Sequence, residues 1–303
     1  MRLFKQTPED YYNAPYDEFP ALIRGTVAVV MGILWVFSKL MWRWKVEDSD
    51  LLFERQEGRG SVVICNHTSM AELLAVETAL FFGGRRIRPI FKSEFAKSKI
   101  VRWAFSRVGG IPVERGTADM KCLRAAQHAL QRGEDVLIFP EHAHPLARDQ
   151  ARVHGGFALI AQMGKAPVNP LAICGWSDIT PAGKKIMRPK KCWIRAGKAV
   201  SLSDAPAGLK RTERLEWFES EAMNRVYAMR DELCAEHPAG SSHERERDEH
   251  RRGCVRPGNR ADNRDRHPRR HLLRRTACAR YGAGRRAAGR GVHSGPYLGS
   301  AHP

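Results

Sequence analysis

Residues 61–72 hold two side chains that can do chemistry together, His67 and Glu72. A carboxylate that binds one ring nitrogen of a histidine fixes the tautomer of the ring and stabilises its imidazolium form. The other ring nitrogen can then accept a proton from a hydroxyl group. The pair lacks a nucleophile, which a hydroxyl of the substrate could supply. The alternative is a turn in which His67 is only solvated.

The sequence around the pair predicts a strand, a turn and a helix. Residues 62–65 are apolar and rich in β-branched side chains, which indicates a buried strand. Ser69 or Thr68 can cap a helix that starts near Met70. His67 then lies in the turn at the carboxyl end of the strand, where open α/β sheets bind their ligands.

Segments of strand and helix character alternate through the chain as far as residue 233. We predict strands at 87–91, 111–113, 136–139, 167–174 and 192–196, and helices at 93–108, 118–131, 155–163 and 212–233. This alternation predicts an α/β fold with a mostly parallel sheet flanked by helices. Residues 192–196 are predicted to form an edge strand, and the amphipathic helix 212–233 is predicted to close the domain.

An uncharged segment, residues 25–38, lies near the start of the chain and is followed by Trp42 and Trp44 among lysines and arginines. Together with Trp35, these tryptophans predict an anchor at the level of lipid headgroups. The uncharged segment is short for a helix that spans a bilayer. We therefore predict a monotopic helix on the cytoplasmic face of the cell membrane. The alternative is a helix buried in the protein core.

The chain of 303 residues has a formal net charge of +18, which is unevenly spread. Residues 240–303 contain sixteen arginines, no lysine and six acidic residues. This composition cannot bury a core, so we predict a disordered tail, either a basic arm or the product of translation out of frame. The body is also basic, which favours an anionic phospholipid surface as partner. Nucleic acid is not an expected partner.

The cysteines and histidines predict no bound metal. The seven cysteines form no Cys-x-x-Cys pair, which is typical of reduced thiols in the cytosol. His142, His144 and His154 stand near Glu141, but they lack the i, i+4 spacing of a helical metal site.

Four segments resemble, in order, the conserved blocks of the glycerolipid acyltransferases, the 1-acyl-glycerol-3-phosphate acyltransferase family. Residues 66–72 (NHTSMAE) resemble the family's NHxSxxD block, and residues 110–115 (GIPVER) its second block. Residues 139–141 (FPE) match the start of the FPEGTRS block, and residues 168–173 (VNPLAI) resemble the fourth block. Residues 91–95 are similar to the family's lysine-bearing segment. The resemblance covers about residues 20 to 235 and implies the family's α/β fold.

The resemblance implies the catalytic roles and the reaction. His67 would be the general base on the acceptor hydroxyl, and Glu72 would orient it. The reaction would move a fatty acyl chain from acyl-CoA or acyl carrier protein to lysophosphatidic acid or a related lysophospholipid, in phospholipid biosynthesis. The acyl donor is a co-substrate, and no other cofactor is expected.

The resemblance also implies a set of residues that contact the substrates. Arg115 and Lys92 would bind an anionic headgroup, and Glu141 would shape the acceptor pocket. Asn66 and Ser69 belong to the His67 block and are predicted to bind substrate with it.

Two departures from the family pattern bear on the acceptor. Glu72 replaces the usual aspartate, and residues 142–145 (HAHP) replace Gly-Thr-Arg-Ser. His144 stands where the family has an arginine, and Arg148 or Arg152 could substitute for that arginine. A glycolipid or another acceptor without phosphate is therefore one alternative. A catalytically weakened module that only binds membranes is another.

The predicted organisation has three parts. Residues 1–45 attach the protein to a membrane, residues 46–238 form the acyltransferase α/β domain, and residues 239–303 form the tail rich in arginine, glycine and histidine.

Overall fold

A seven-stranded sheet organises the protein. The computed structural model describes residues 7–54, 58–114, 119–141, 155–177, 179 and 187–238. The predicted tail and its boundary at residue 239 therefore lie outside the described residues. The described residues all belong to one compact unit, Met1–Cys254.

The sheet is mostly parallel, as the sequence predicts. The strands are β1 (Lys45–Glu47), β2 (Val62–Cys65), β3 (Ile87–Lys92), β4 (Ile111–Val113), β5 (Asp135–Ile138), β6 (Val168–Cys174) and β7 (Trp193–Ala196). Their order across the sheet is β1-β7-β6-β2-β5-β3-β4. The β6–β7 pair is antiparallel, and the other neighbouring pairs are parallel. Strand β2, which precedes His67, lies in the middle, so both of its neighbours present their carboxyl ends beside the His67 turn.

Helices cover both faces of the sheet. They are α1 (Pro8–Asn13), α2 (Ala21–Trp42), α3 (Ser49–Phe53), α4 (Met70–Phe82), α5 (Lys99–Arg107), α6 (Met120–Gln131), α7 (Gly156–Gly164) and α8 (Arg211–Glu236). Apolar residues of α6, α7 and α8 pack with Val62 and Ile64 on one face. Residues of α3, α4 and the end of α2 pack with Val63 and Cys65 on the other. This alternation of directions along β2 is the pattern of a strand buried on both sides, and it confirms the predicted α/β fold.

Two predicted elements are wrong in their details. Residues 192–196 do not form an edge strand, because β7 pairs with β1 on one side and with β6 on the other. The predicted helix 93–108 is two elements, a 3-10 helix at Ser93–Lys97 and then α5. The break falls at Ser98, whose extended backbone and side chain cap the start of α5.

Two of the three predicted anchor tryptophans lie in the core. Trp42 is fully buried and packs against Trp176, with ring centroids 5.8 Å apart. Trp44 is 3% exposed, and its indole nitrogen donates to Ser38 Oγ at 3.1 Å. Lys39 Nζ lies 3.5 Å from the centre of the Trp44 ring and donates to the Trp44 carbonyl. The prediction that these two tryptophans sit at headgroup level is therefore wrong, because the cation–π contact and the indole bond let the cluster pack inside.

Helix α2 itself presents a continuous apolar strip to solvent. One side of α2 packs through Ile23, Val27 and Met31. The other side leaves Val29, Ile33, Val36, Phe37 and Leu40 between 47% and 74% exposed. Among the described helices, α2 is the one long and apolar enough to cross a membrane. With one side held against the protein, the strip fits a helix that lies on a membrane surface.

Candidate active site

The turn after β2 is held by Asn66, whose side chain continues the sheet. Strand β2 pairs with β6 as far as Cys65 and Leu171. Beyond that point Asn66 Oδ1 accepts from the Ile173 amide at 2.9 Å, and Asn66 Nδ2 donates to the Ile173 carbonyl at 3.3 Å. The buried amide group thus replaces the backbone of a strand residue and fixes where the chain leaves the sheet. Substrate binding by Asn66 stays a prediction.

Helix α4 begins with a capping box built from Ser69 and Glu72. Ser69 Oγ accepts from the Ala71 amide at 3.2 Å, and the Ser69 amide donates to Glu72 Oε2 at 2.9 Å. A serine followed three residues later by a glutamate is the sequence signature of this cap. The described contacts of Ser69 are those of a helix cap, and its predicted contact with substrate is untested.

Glu72 also binds the ring of His67. Its Oε1 is hydrogen-bonded to His67 Nδ1, and the two groups form an ion pair when the ring is protonated. The Thr68 amide and the Thr68 hydroxyl donate to Glu72 as well, at 3.0 Å each. The predicted pair is thus in contact, and Glu72 lies in the first turn of α4, where the helix dipole favours a negative charge.

Two opposing effects set the charge of Glu72. Its side chain is fully buried, and burial raises the pKa of the carboxyl group. The His67 ring and the amides of Thr68 and Ser69 act in the opposite direction. A carboxylate in this position receives hydrogen bonds at both oxygens, which is the arrangement a buried charge requires. When Glu72 is ionised, Nδ1 of His67 carries a proton and Nε2 is the basic nitrogen.

The loop after β5 covers the other side of His67. The Phe139 ring lies 4.5 Å from the imidazole, centre to centre. Glu141 Oε2 accepts from the backbone amide of His67 at 2.9 Å. Glu141 therefore holds the backbone of the His67 turn, and its predicted contact with the acceptor stays a prediction.

Helix α8 supports Glu141 from behind. The hydroxyl of Tyr227 donates to Glu141 Oε1 at 2.9 Å, and Tyr227 is 4% exposed. Burial raises the pKa of Glu141, while the His67 amide, the Tyr227 hydroxyl and the charge of Arg230 lower it. Sequence reasoning missed Tyr227, because it lies 86 residues from Glu141 in an ordinary amphipathic helix. Its only signal is a hydroxyl on the buried face of that helix.

The described nucleophilic groups nearest to the pair are all occupied or inert. Cys65 is fully buried, and burial together with the charges of Glu72 and Glu141 raises its pKa well above the usual range. Its thiol therefore stays protonated and unreactive. The hydroxyls of Thr68 and Ser69 are used in hydrogen bonds around Glu72. Among the described residues beside the pair, none of these three groups is a ready nucleophile.

The predicted headgroup residues are only partly described. Lys92 ends β3 and forms an ion pair with Glu94, with Nζ and Oε1 2.9 Å apart and both side chains partly exposed. Arg115 lies outside the described residues, and so do His142, His144, Arg148, Arg152 and His154. Their predicted roles therefore stay predictions.

A cluster of potential metal ligands, Glu47, Glu236 and His237, lies away from His67, at the β1 side of the sheet. Arg195 binds both carboxylates of this cluster, with its Nη2 2.6 Å from Glu47 Oε2. The single guanidinium offsets part of the negative charge of these two carboxylates.

Comparisons with known proteins find a family model and named relatives. Residues 43–174 match the family model described as Acyltransferase. The chain is 25% identical over 174 residues to 1-acyl-sn-glycerol-3-phosphate acyltransferase of Bacillus subtilis (strain 168). The aligned residues make up 57% of this chain and 83% of that protein. It is 27% identical over 128 residues to the chloroplastic 1-acyl-sn-glycerol-3-phosphate acyltransferase LPAT1 of Arabidopsis thaliana, or 41% of this chain and 35% of that protein.

A solved structure, that of the 1-acyl-sn-glycerophosphate acyltransferase PlsC of Thermotoga maritima, is also similar. It shares 21% sequence identity, with a TM-score of 0.49, over 68% of this chain and 82% of that chain.

The matched region, residues 43–174, contains β2, the His67–Glu72 pair and the Phe139–Glu141 loop. The family-model match and the two named relatives indicate an O-acyltransferase. The chain is similar to the glycerolipid acyltransferases, as its four sequence blocks predict.

Proposed function

We propose that the protein transfers a fatty acyl chain from acyl-CoA or acyl carrier protein to a hydroxyl of lysophosphatidic acid or a related lysophospholipid. The observation that carries the proposal is the bond between His67 Nδ1 and the buried Glu72, at the carboxyl end of the central strand. It supports Nε2 of His67 as a general base.

The reaction proceeds without a covalent acyl-enzyme. Nε2 takes the proton of the acceptor hydroxyl as its oxygen attacks the carbonyl carbon of the thioester. The carbon–sulfur bond of the resulting tetrahedral intermediate then breaks, and the imidazolium returns the proton to the departing thiolate. Glu72 stabilises the imidazolium between these two proton transfers. The inert Cys65 and the occupied hydroxyls of Thr68 and Ser69 support direct transfer.

Cations that end or follow two neighbouring parallel strands in the sequence support an anionic acceptor. Lys92 ends β3, and Arg115 follows β4 in the sequence. We assign to both the binding of the acceptor phosphate. A glycolipid acceptor is the second candidate, because the third block has His144 in place of the arginine of the family.

The protein works at a membrane. The exposed strip of α2 and the similarity to 1-acyl-sn-glycerol-3-phosphate acyltransferases support membrane association. We place it on the cytoplasmic face of the cell membrane, where acyl-CoA and acyl carrier protein are available.

The test is transfer of a labelled acyl chain from each donor to a panel of lysophospholipids and glycolipids. We expect the highest kcat/KM with lysophosphatidic acid. His67→Ala should lower kcat by roughly two to four decades, because it removes the base, and should leave vesicle binding unchanged. If the folded wild-type protein transfers no acyl group to any acceptor, the result favours the alternative function, a catalytically weakened module that only binds membranes. Near-normal turnover by His67→Ala would exclude the mechanism.

A further inference from the structure

An exposed apolar surface follows β3, on the 3-10 helix Ser93–Lys97 and on α5. Phe95, Ile100 and Trp103 are 49%, 80% and 45% exposed. Ile100 and Trp103 are three residues apart and share one face of α5. Large apolar side chains that share an exposed face suit an interaction site.

Cations surround these side chains. Lys97, Lys99 and Arg102 lie between them in sequence and are exposed. The single acidic residue of the segment, Glu94, is paired with Lys92 at 2.9 Å. Exposed aromatic and aliphatic groups among cations are typical of a helix that lies in the headgroup region of an anionic bilayer.

The surface is held firmly against the sheet. The ring of Phe105 in α5 stacks on Phe91 of β3, with centroids 4.2 Å apart. Val108, the residue after α5, packs in the cluster that contains Val27 and Met31 of α2. The exposed face of α5 is thus a fixed feature, and the end of α5 adjoins the middle of α2.

The surface also starts at the edge of the sheet that holds the catalytic pair. Strand β3 is parallel to β5, with Pro89 opposite Leu137. Lys92 therefore ends β3 at the same edge at which Phe139 leaves β5, one strand away. Phe139 in turn contacts the ring of His67.

We propose that residues 95–103 form a second membrane contact, which sets the His67 edge of the sheet against an anionic phospholipid bilayer. This inference deepens the proposed function and rests on it for the lipid nature of the acceptor. A second copy of the chain is a less suitable occupant. In a symmetric dimer formed through this surface, the surface would face its own copy. Lys97, Lys99 and Arg102 would then repel the same cations of the other copy.

The test is partition of the full chain onto vesicles of phosphatidylcholine alone and of phosphatidylcholine with phosphatidylglycerol. Ile100→Glu/Trp103→Glu should weaken partition onto both vesicles by about tenfold, because it places charge in the apolar contact. The matched control is Thr212→Glu/Ser220→Glu, at two exposed positions of α8, and should bind like wild type. Ile100→Ser/Trp103→Ser tests the same contact with a milder change, should the glutamate variant fold poorly.

A second pair of variants isolates the charges. Lys99→Gln/Arg102→Gln should weaken binding only to the anionic vesicles, by about tenfold, since each cation near such a surface contributes separately. Lys210→Gln/Arg211→Gln removes the same charge from an exposed site at the start of α8 and is the control. Unchanged partition of both α5 variants would overturn the proposal. So would a change from dimer to monomer with partition unaltered.

Transfer assays separate this inference from the proposed function. The α5 variants should keep wild-type kcat on a water-soluble, short-chain acceptor and lose rate on the same headgroup in vesicles. If the wild type transfers no acyl group, the proposed function fails, while vesicle partition still decides the role of α5. If it transfers normally and the α5 variants bind and react like wild type on vesicles, only the α5 contact fails.

Discussion

Glu72 has two tasks that a substitution can separate. Its carboxylate caps α4 and also stabilises the imidazolium of His67. Glu72→Gln keeps a side chain suited to the capping box but loses the charge. We expect kcat to fall by about two to four decades with a melting temperature close to that of wild type. Glu72→Asp keeps the negative charge, on the residue type of the NHxSxxD block. It should therefore react much faster than Glu72→Gln.

A thermal shift experiment and initial rates on the same preparations measure both tasks of Glu72. If Glu72→Gln reacts at the wild-type rate, the bond to His67 has no role in proton transfer. If the rate falls only in step with the melting temperature, the loss of the helix cap alone explains the effect of the substitution.

Glu77 is a buried carboxyl group in α4 outside the catalytic pair. Burial raises its pKa from 4.5 to about 8. Arg86 and Arg88 line the same small cavity, but Arg88 is bound to Glu134 and Arg86 lies over the ring of Tyr16. Glu77 therefore binds a proton in the folded protein at a pH at which the unfolded chain has released it.

This difference makes stability fall as pH rises from about 4.5 to about 8, because the folded state binds more protons than the unfolded state in that window. Glu77→Gln cannot titrate. We expect it to raise the free energy of unfolding at pH 8 by on the order of 2 kcal/mol, and to change it little at pH 4.5.

Urea unfolding at both pH values measures this. Glu216→Gln, at an exposed position of α8, is the control. Equal effects at the two pH values would mean that Glu77 is ionised in the folded protein.

At this scale the sequence predicts what is local. The His67–Glu72 bond spans five residues and the capping box three, so the turn and the first turn of α4 determine both. The bond from Tyr227 to Glu141 depends on how α8 packs across the sheet. Sequence spacing carries no information on that packing.

Helix α8 contacts the His67 turn through Tyr227 and Glu141. Loss of the Tyr227 hydroxyl leaves one oxygen of Glu141 without this donor and raises the pKa of Glu141 further. Protonation of Glu141 then weakens its bond to the His67 amide at a higher pH than in wild type. Tyr227→Phe should therefore lower kcat by about tenfold and move the acid limb of the kcat–pH profile upward.

A second buried tyrosine provides the control for this experiment. Tyr12 belongs to the same apolar cluster as Tyr227. Tyr12→Phe removes a hydroxyl from that cluster without touching Glu141, so its pH profile should match the wild type. Parallel profiles for Tyr227→Phe and Tyr12→Phe would reduce Tyr227 to a packing role.

The elements were predictable where pattern and burial coincide. Strands β2 and β4 begin and end where predicted, and β6 differs by one residue, because each is a short apolar run between polar segments. Strand β1 has three residues, two of them charged, and shows no strand pattern. Because the sequence does not predict β1, it predicts β7 as the edge strand in its place. Ser98 breaks the predicted helix 93–108 because capping outweighs helix continuation there.

At the scale of the whole molecule, the region before residue 46 is part of the fold. Trp42 and Trp44 fill the core beneath α3 and α4, and β1 completes the sheet beside β7. The composition of the segment could not show this, because tryptophans beside lysines suit a core cluster as well as a headgroup layer. Deletion of residues 1–45 would therefore unfold the protein as well as detach it from membranes. Membrane attachment needs a test that spares the buried face of α2.

Glutamate substitutions on the exposed strip of α2 provide that test. Val29 and Ile33 are 64% and 63% exposed, one helical turn apart, and neither belongs to a buried cluster. Val29→Glu/Ile33→Glu should leave the melting temperature near that of wild type and release most of the protein from phosphatidylcholine vesicles, because two charges then face the acyl chains. Thr212→Glu/Ser220→Glu adds the same charge to α8 and should stay bound.

Co-sedimentation with vesicles measures the bound fraction, and high salt distinguishes apolar attachment from attachment by the basic surface of the body. If the α2 variant sediments with neutral vesicles as the wild type does, α2 is not the anchor, and the contact lies on another surface of the protein.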